Sequence, residues 1–275
     1  MSIWEYKSQS QEKKLVKAAV YKIRCIFCDT PLITIKSGYR DYLKTFVRSN
    51  IYDSPPPSRD LDIKSCRTCG WWNLISNGYN KIGYGYHKES KGTIGSLKNF
   101  NLNDISTPIE EVRAFLTAKY TSRFIIHPKV FEETVASVFR DLGYYARVTA
   151  FAKDGGIDII LDGPNKETIG VQVKRYRNTI GVEHIRALAG ALLIKGYTKG
   201  AFITTSRFSS VAVQGAKDAS SKGYPIELFD AGKFFDALKV TQRKHYKSEE
   251  EFCSSIVNFS TLIPVESGGG YWRPD

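Results

Sequence analysis

Two β-branched runs, at 157–161 and 169–175, flank Asp162-Gly163-Pro164-Asn165-Lys166. Turn-forming residues between two such runs predict a β-hairpin. The residues beyond 175 decide how the hairpin continues. A helix is predicted over 182–194, with Ile185, Leu188, Ala189 and Leu192 facing inward, then a strand at 200–205. An alanine-rich helix over 209–221 ends at Gly223, and a strand at 226–229 and part of a closing helix at 233–238 come after it. Strand, helix, strand, helix, strand demands parallel right-handed crossovers, so the hairpin must belong to a mixed sheet with helices on both sides. The run at 200–205 barely alternates, as expected of a strand covered on both faces. The fold class is therefore α/β, with a strand at 145–150 and a helix over 128–142, ended by Gly143, entering the hairpin.

Side chains alternate along a strand, so Val171 and Val173 share one face while Gln172 and Lys174 share the other. Asp158 on the partner strand can meet that second face. A carboxylate, an amide oxygen and an ammonium gathered together suit a hard divalent cation beside a phosphate, with the lysine opposing charge that develops during attack. The alternative is an amphipathic hairpin whose polar face is merely wet. Gly155-Gly156 lets the backbone approach closely just before Asp158. On the preceding helix, Phe131, Val135, Val138 and Leu142 fall within a stripe of roughly 40°. Glu132 sits at its shoulder beside Phe139 and can lean toward a strand, whereas Glu133 lies near the far side with Arg140.

Charge and cysteines describe the remainder. The 275 residues carry a net charge of +12, which favours a polyanionic partner. Residues 1–107 hold 17 Lys and Arg against 9 Asp and Glu, so the surplus is weighted toward the N-terminal part. No apolar run approaches the ~20 residues of a membrane span, and the N-terminus lacks a signal-peptide core. A cytoplasmic protein with no membrane partner is expected. Four of the five cysteines form two C-x-x-C pairs, Cys25/Cys28 and Cys66/Cys69. Four thiolates make a closed tetrahedral site for structural Zn²⁺, with His87 as a spare ligand. The 37 residues between the pairs exceed the 15–20 of a compact ribbon, and an insertion around Pro55-Pro56-Pro57 would absorb the excess. Cys253 reads as a small buried or idle thiol.

A helix is predicted over 9–24, with Leu15, Val16, Ala19, Val20 and Ile23 at helical spacing. Trp71, Trp72, Tyr79, Tyr84 and Tyr86, interleaved with Lys81 and Lys88, either stack bases or fill the core of a small β unit. A helix over 109–120 follows, with Thr107 or Ser106 as its cap and Pro108 at its first position.

Taken together, F-E-E-T-V-A-S-V-F-R-D-L-G-Y (131–144), K-D-G-G-I-D-I-I (153–160), V-Q-V-K-R-Y (171–176) and G-A-F-I-T-T-S-R-F-S (200–209) resemble the Mrr-type catalytic domain of the restriction-endonuclease-like superfamily, also called PD-(D/E)xK. The resemblance covers about 124–240. It implies a restriction-endonuclease-like mixed sheet flanked by helices, beside a smaller N-terminal α+β zinc-binding domain. It also implies metal-dependent hydrolysis of DNA phosphodiesters, with Glu132, Asp158, Gln172 and Lys174 as the catalytic set. Asp158, the Gln172 amide oxygen and the Val173 carbonyl would hold Mg²⁺, Lys174 would orient the attacking water or stabilise charge, and Glu132 would support the outer shell. The wider superfamily usually has Glu where this chain has Gln172, which removes one negative charge from the cation site. Gln is common there in the Mrr branch.

The expected organisation is a basic cysteine-bearing DNA-recognition domain at 1–107, a linker helix at 108–123, the nuclease domain at 124–240 and a C-terminal extension at 241–275. Lys153, Arg175, Arg177, Trp71 and Trp72 are the expected contacts to double-stranded DNA. Restriction of foreign, possibly modified, DNA is the implied role, and cutting both strands with one site per chain points to a homodimer. The competing expectation is a nucleic-acid-binding protein whose nuclease fold has lost activity.

Overall fold

The structure is a computed structural model describing residues 3–6, 13–36, 59–82, 85–149, 155–163, 167–242 and 263–270. The chain divides into two units, one of residues 2–99 with 246–275 and the other of 100–245. Lys153, the triple proline and Cys253 lie outside the described residues.

The first unit is an antiparallel sheet. Its strands are β1 (Trp4–Tyr6), β2 (Ile33–Lys36), β3 (Arg59–Ser65), β4 (Trp72–Ile82) and β5 (Gly85–Leu97), in the order β1-β5-β4-β3-β2. One helix, α1 (Lys13–Ala19), packs on it. That helix ends at Ala19 instead of continuing to 24, and residues 9–12 of the expected helix lie outside the described residues. The buried Asn73 side chain donates to Ala19 O and Lys22 O, both at 3.2 Å, and satisfies carbonyls where the helix stops. Val16, Ala19 and Val20 are buried as expected, but Leu15 and Ile23 are exposed. Trp71 and Trp72 are core residues. They are 0% and 3% exposed, and the Trp71 indole donates to Gly95 O at 2.9 Å, so neither offers a ring face to a base.

The second unit opens with α2 (Ile109–Ala118) and a 3-10 turn at Tyr120–Phe124. Pro108 occupies the N-cap of α2, and no side chain caps it. Ser106, an expected cap, instead bonds Asp104 through its backbone N–H and its hydroxyl. Helix α3 (Pro128–Asp141) is capped by His127, whose Nδ1 accepts Lys129 N–H at 3.3 Å. Its core stripe is Phe131, Val135 and Val138, all fully buried, while Leu142 lies past the last turn and is exposed.

Then come β6 (Tyr145–Val148), β7 (Ile159–Asp162), β8 (Thr168–Lys174), α4 (Val182–Lys195), β9 (Lys199–Thr204), α5 (Ser210–Ser221), β10 (Ile226–Phe229) and α6 (Ala231–Gln242). The sheet order is β10-β9-β8-β7-β6, with β6, β7 and β8 antiparallel and β8, β9 and β10 parallel. This is the mixed sheet that the hairpin and crossovers predict. Outside this unit, β11 (Ile263–Gly270) pairs with β5.

The parallel half of the sheet depends on a close approach. Gly170 and Gly200 are partners across β8 and β9, and Leu192 of α4 fills the pit they leave. A Cβ on Gly200 would lie 2.6 Å from Leu192 Cδ1, and one on Gly170 would lie 2.7 Å from Leu192 Cδ2. Leu192 is fully buried and has nowhere to retreat. Gly200→Ala is therefore expected to destabilise the chain by about 1–3 kcal/mol through overpacking. A lowered urea midpoint at unchanged m-value checks this.

Candidate active site and metal centre

The β7–β8 hairpin stops pairing where the chemistry begins. Ile159 faces Val171 as the last ladder pair, and beyond it the Asp158 side chain takes over. Asp158 Oδ2 accepts the Val173 backbone N–H at 2.7 Å, while Asp158 N–H donates to Val171 O at 2.8 Å. The Asp158 carbonyl is held in turn by Thr149, through its N–H at 2.9 Å and its hydroxyl at 3.0 Å. These bonds fix the carboxylate at the sheet edge. The Lys174 carbonyl faces β9, where it takes Thr205 N–H at 3.2 Å, so the Val173 N–H and C=O face the other way, toward Asp158.

Gln172 sits between them in sequence and keeps one polar atom unspent. Its Oε1 is buried and, among the described residues, has no hydrogen-bond partner. A buried amide oxygen without a donor costs about 1–3 kcal/mol, so its survival asks for a reason. Glu132, on α3, lies near enough to Asp158 to feel its charge. Its carboxyl is held above the usual carboxylate range, first by burial and then by the negative charge of Asp158, with Lys129 acting weakly in the opposite sense. Two carboxylates that repel, an orphaned amide oxygen and a carbonyl aimed at the same edge form a donor set that fits a hard divalent cation. Glu133 turns away and pairs with Arg140, as its helical position predicts.

Lys174 lies on the Gln172 face and meets a residue that the sequence does not single out. Its Nζ is 3.2 Å from His184 Nδ1 and 5.4 Å from the centre of the Tyr176 ring. An ammonium can only donate, so Nδ1 is the acceptor in this contact, and Nε2 lies 3.6 Å from Glu183 Oε1. No motif or spacing marks His184. It arrives because α4 packs against the sheet, and a helical histidine ten residues from a strand lysine carries no signal of that.

The first unit holds the second candidate centre. Sγ–Sγ distances are 3.5 Å for Cys25–Cys69, 3.4 Å for Cys28–Cys66 and 3.7 Å for Cys28–Cys69. Four thiolates at the usual Zn–S distance would stand about 3.8 Å apart around a tetrahedral ion. The two C-x-x-C turns repeat one geometry. Asp29 N–H bonds Cys25 O and Gly70 N–H bonds Cys66 O, at 3.0 and 2.9 Å. Asp29 and Gly70 both take positive φ, and Phe27 N–H and Thr68 N–H donate to the sulfurs of Cys25 and Cys66. Hydrogen bonds from its neighbours, Cys25 first, push the Cys28 thiol down and Cys66 to about 7, while Cys25 and Cys69 are pushed up. Only a cation lets all four ionise together. The long spacer closes because β2 and β3 pair with Ile33 opposite Ser65, which returns the second turn to the first. Of the His87 side chain nothing is described.

Of the expected nucleic-acid contacts, Arg175 and Arg177 are exposed. Arg175 Nη1 donates to Phe124 O at 2.7 Å.

A mixed sheet with an acid, an amide and a lysine at the end of its central hairpin is the arrangement that the restriction-endonuclease-like resemblance implies. The sequence model of the restriction endonuclease family Mrr_cat matches residues 125–238, the same stretch whose motifs resemble the Mrr type. The chain is 39% identical over 94 residues to the type IV methyl-directed restriction enzyme EcoKMrr of Escherichia coli strain K12. That match covers 32% of this chain and 31% of the relative, so it spans about a third of the relative's length. Among solved structures, the DNA modification-dependent restriction endonuclease AspBHI is similar over 66% of this chain and 61% of its own, at 15% identity and a TM-score of 0.38. Restriction endonuclease FokI bound to DNA is similar over 63% and 37%, at 12% identity and a TM-score of 0.36. No helix among the described residues is long and apolar enough to cross a membrane.

The raised Glu132 carboxyl gives a stability test. Its folded-state pKa lies above the unfolded value of about 4.3, so ionising it penalises the native state at higher pH, and nothing is lost below the unfolded value. Glu132→Gln is expected to melt higher than wild type at neutral pH without added divalent cation, with the difference vanishing on acidification to about pH 4. Equal melting temperatures across that range would contradict the crowding of Glu132 against Asp158.

Proposed function

We propose that the second unit is a Mg²⁺-dependent DNA endonuclease that hydrolyses phosphodiester bonds and serves in restriction of foreign DNA, modified DNA included. The observation that carries this is the unpartnered Gln172 Oε1, buried at the edge where Asp158 is pinned and Glu132 is crowded. A cation held by Asp158, Gln172 and the Val173 carbonyl would polarise a bound phosphate and acidify an attacking water. Lys174, steadied by His184, presents its ammonium to the charge that builds on the phosphate oxygens. Asp158 keeps its orientation through the Val173 N–H, and Glu132 supplies an outer acceptor for solvent at the site. Gln172 in place of an acid lowers the negative charge facing the substrate.

The first unit, with structural Zn²⁺ on Cys25, Cys28, Cys66 and Cys69, is assigned to gripping double-stranded DNA. Its basic surplus supports this role, and its tryptophans do not contribute. A homodimer acting in the cytoplasm completes the proposal, since two sites are needed to cut two strands.

Wild type is expected to nick supercoiled plasmid with Mg²⁺ and not with EDTA. Asp158→Asn and Lys174→Ala should each lower the rate by about 100-fold or more. Undiminished nicking by both variants would remove the site from consideration. Purified chain should also carry one tightly held zinc per molecule by elemental analysis. Cys66→Ser should release it and lower the melting temperature, because binding energy in a closed thiolate site is folding energy. A metal-free chain that melts like wild type would reject this centre.

A further inference from the structure

Beyond Lys174, the ends of β8 and β9 run on side by side and build a second feature. Tyr176 N–H donates to Thr205 Oγ1 and that hydroxyl donates to Tyr176 O, both at 2.8 Å. Ser206 Oγ donates to Arg177 O at 3.1 Å, and Arg207 Nε donates to Thr179 Oγ1 at 3.2 Å. Arg123, from the 3-10 turn, donates its Nε to Thr205 O at 2.9 Å and lies 4.0 Å from the centre of the Phe124 ring. The Arg177 guanidinium approaches the same ring at 5.1 Å. These three arginines line one cavity of about 510 Å³, closed on another side by Ala231 and Gly232 at the start of α6.

The charges on this cavity are unbalanced. Among the described residues no carboxylate forms an ion pair with Arg123, Arg177 or Arg207. The one acid on the wall is Asp230, and its Oδ1 accepts the Lys233 N–H as the cap of α6. Arg123 is also partly desolvated, and burial lowers its pKa. Gathering three guanidinium groups without a counter-ion is unfavourable unless an anion joins them, and their planar donors match phosphate oxygens. Thr179 and Ser206 add hydroxyls to the same wall. The cavity is also close to the candidate site, because Arg177 follows Lys174 by three residues, at most about 11 Å of extended chain.

We infer that this cavity is a phosphate subsite for the nucleic-acid backbone, where Arg123, Arg177 and Arg207 hold a phosphate of the strand whose neighbouring segment lies at Lys174. The inference rests on the proposed function for the direction in which the strand runs. It does not rest on cleavage.

The test measures binding of a fluorescent DNA duplex to the full chain by anisotropy in EDTA, over a series of salt concentrations. Arg177→Gln/Arg207→Gln removes exposed side chains and leaves Arg123, which is bonded to backbone, in place. Its plot of log affinity against log salt should be shallower than wild type by about 0.9, the value for one phosphate contact. Arg177→Lys/Arg207→Lys should restore most of the slope, which guards against a folding defect. Lys217→Gln/Lys222→Gln changes the charge equally on α5 and its C-cap, which lie toward the opposite end of the sheet, and should keep the wild-type slope. An unchanged slope in the arginine variant, or an equal fall in the lysine variant, overturns the subsite. Inorganic phosphate titrated by calorimetry separates the sources. Arginine-dependent phosphate binding with no change in the duplex slope would make this a small-anion site and overturn its assignment to a strand. Plasmid nicking with Mg²⁺ is scored apart. Nicking with an unaltered slope rejects only the subsite, and an arginine-dependent slope without nicking rejects only the nuclease.

Discussion

Where β7 runs out, the Asp158 carboxylate takes the place of the next backbone acceptor on Val173 N–H, and the candidate site depends on that exchange. A carboxylate that ends a ladder through such a bond is held in the orientation of the strand. The substitution also opens the sheet at Val173, so the carbonyl of that residue no longer has a strand to pair with on its Asp158 side. Gln172 then finds no donor for its buried oxygen. Glu132, leaning in from α3, meets the negative charge of Asp158 instead of a base. Each of these is a small penalty on the fold, and all three fall within the site proposed for a cation and a phosphate.

The first unit solves a different problem with the same economy of parts. The core of its sheet joins aliphatic side chains such as Ile63 and Leu74 to buried tryptophans. Trp4 donates to Cys69 O and Trp71 to Gly95 O, so the indoles tie the cysteine turns to the strands while filling the interior. Four sulfurs in one cluster would be a liability as free thiolates. Two matched turns present them at the spacing that a tetrahedral thiolate site requires.

The hairpin, the crossovers and the mixed sheet were legible because each has a local signature: β-branched runs, a turn cluster, helical periodicity and a strand without alternation. The family motifs were legible for the same reason. Errors fell where a residue's position depends on something distant in sequence. Leu142 belongs to the apolar stripe of α3 by angle, but the helix stops one residue short of it. Helix α1 ends at Ala19, where Asn73, far along the chain, takes its last carbonyl and that of Lys22 beyond it. Trp71 and Trp72 carry the same composition whether they stack on bases or fill a core, and only burial separates the two.

The sequence by itself determined which elements form, their order and handedness, and which acids, amide and lysine share a hairpin. These follow from backbone sterics and periodicity acting over a few residues. Tertiary structure alone decided that Asp158 would grip Val173 N–H, that His184 would meet Lys174, and that Arg123, Arg177 and Arg207 would line one cavity. Those meetings join segments ten to more than eighty residues apart. Their reason is the packing of whole helices against a sheet, which no local pattern records.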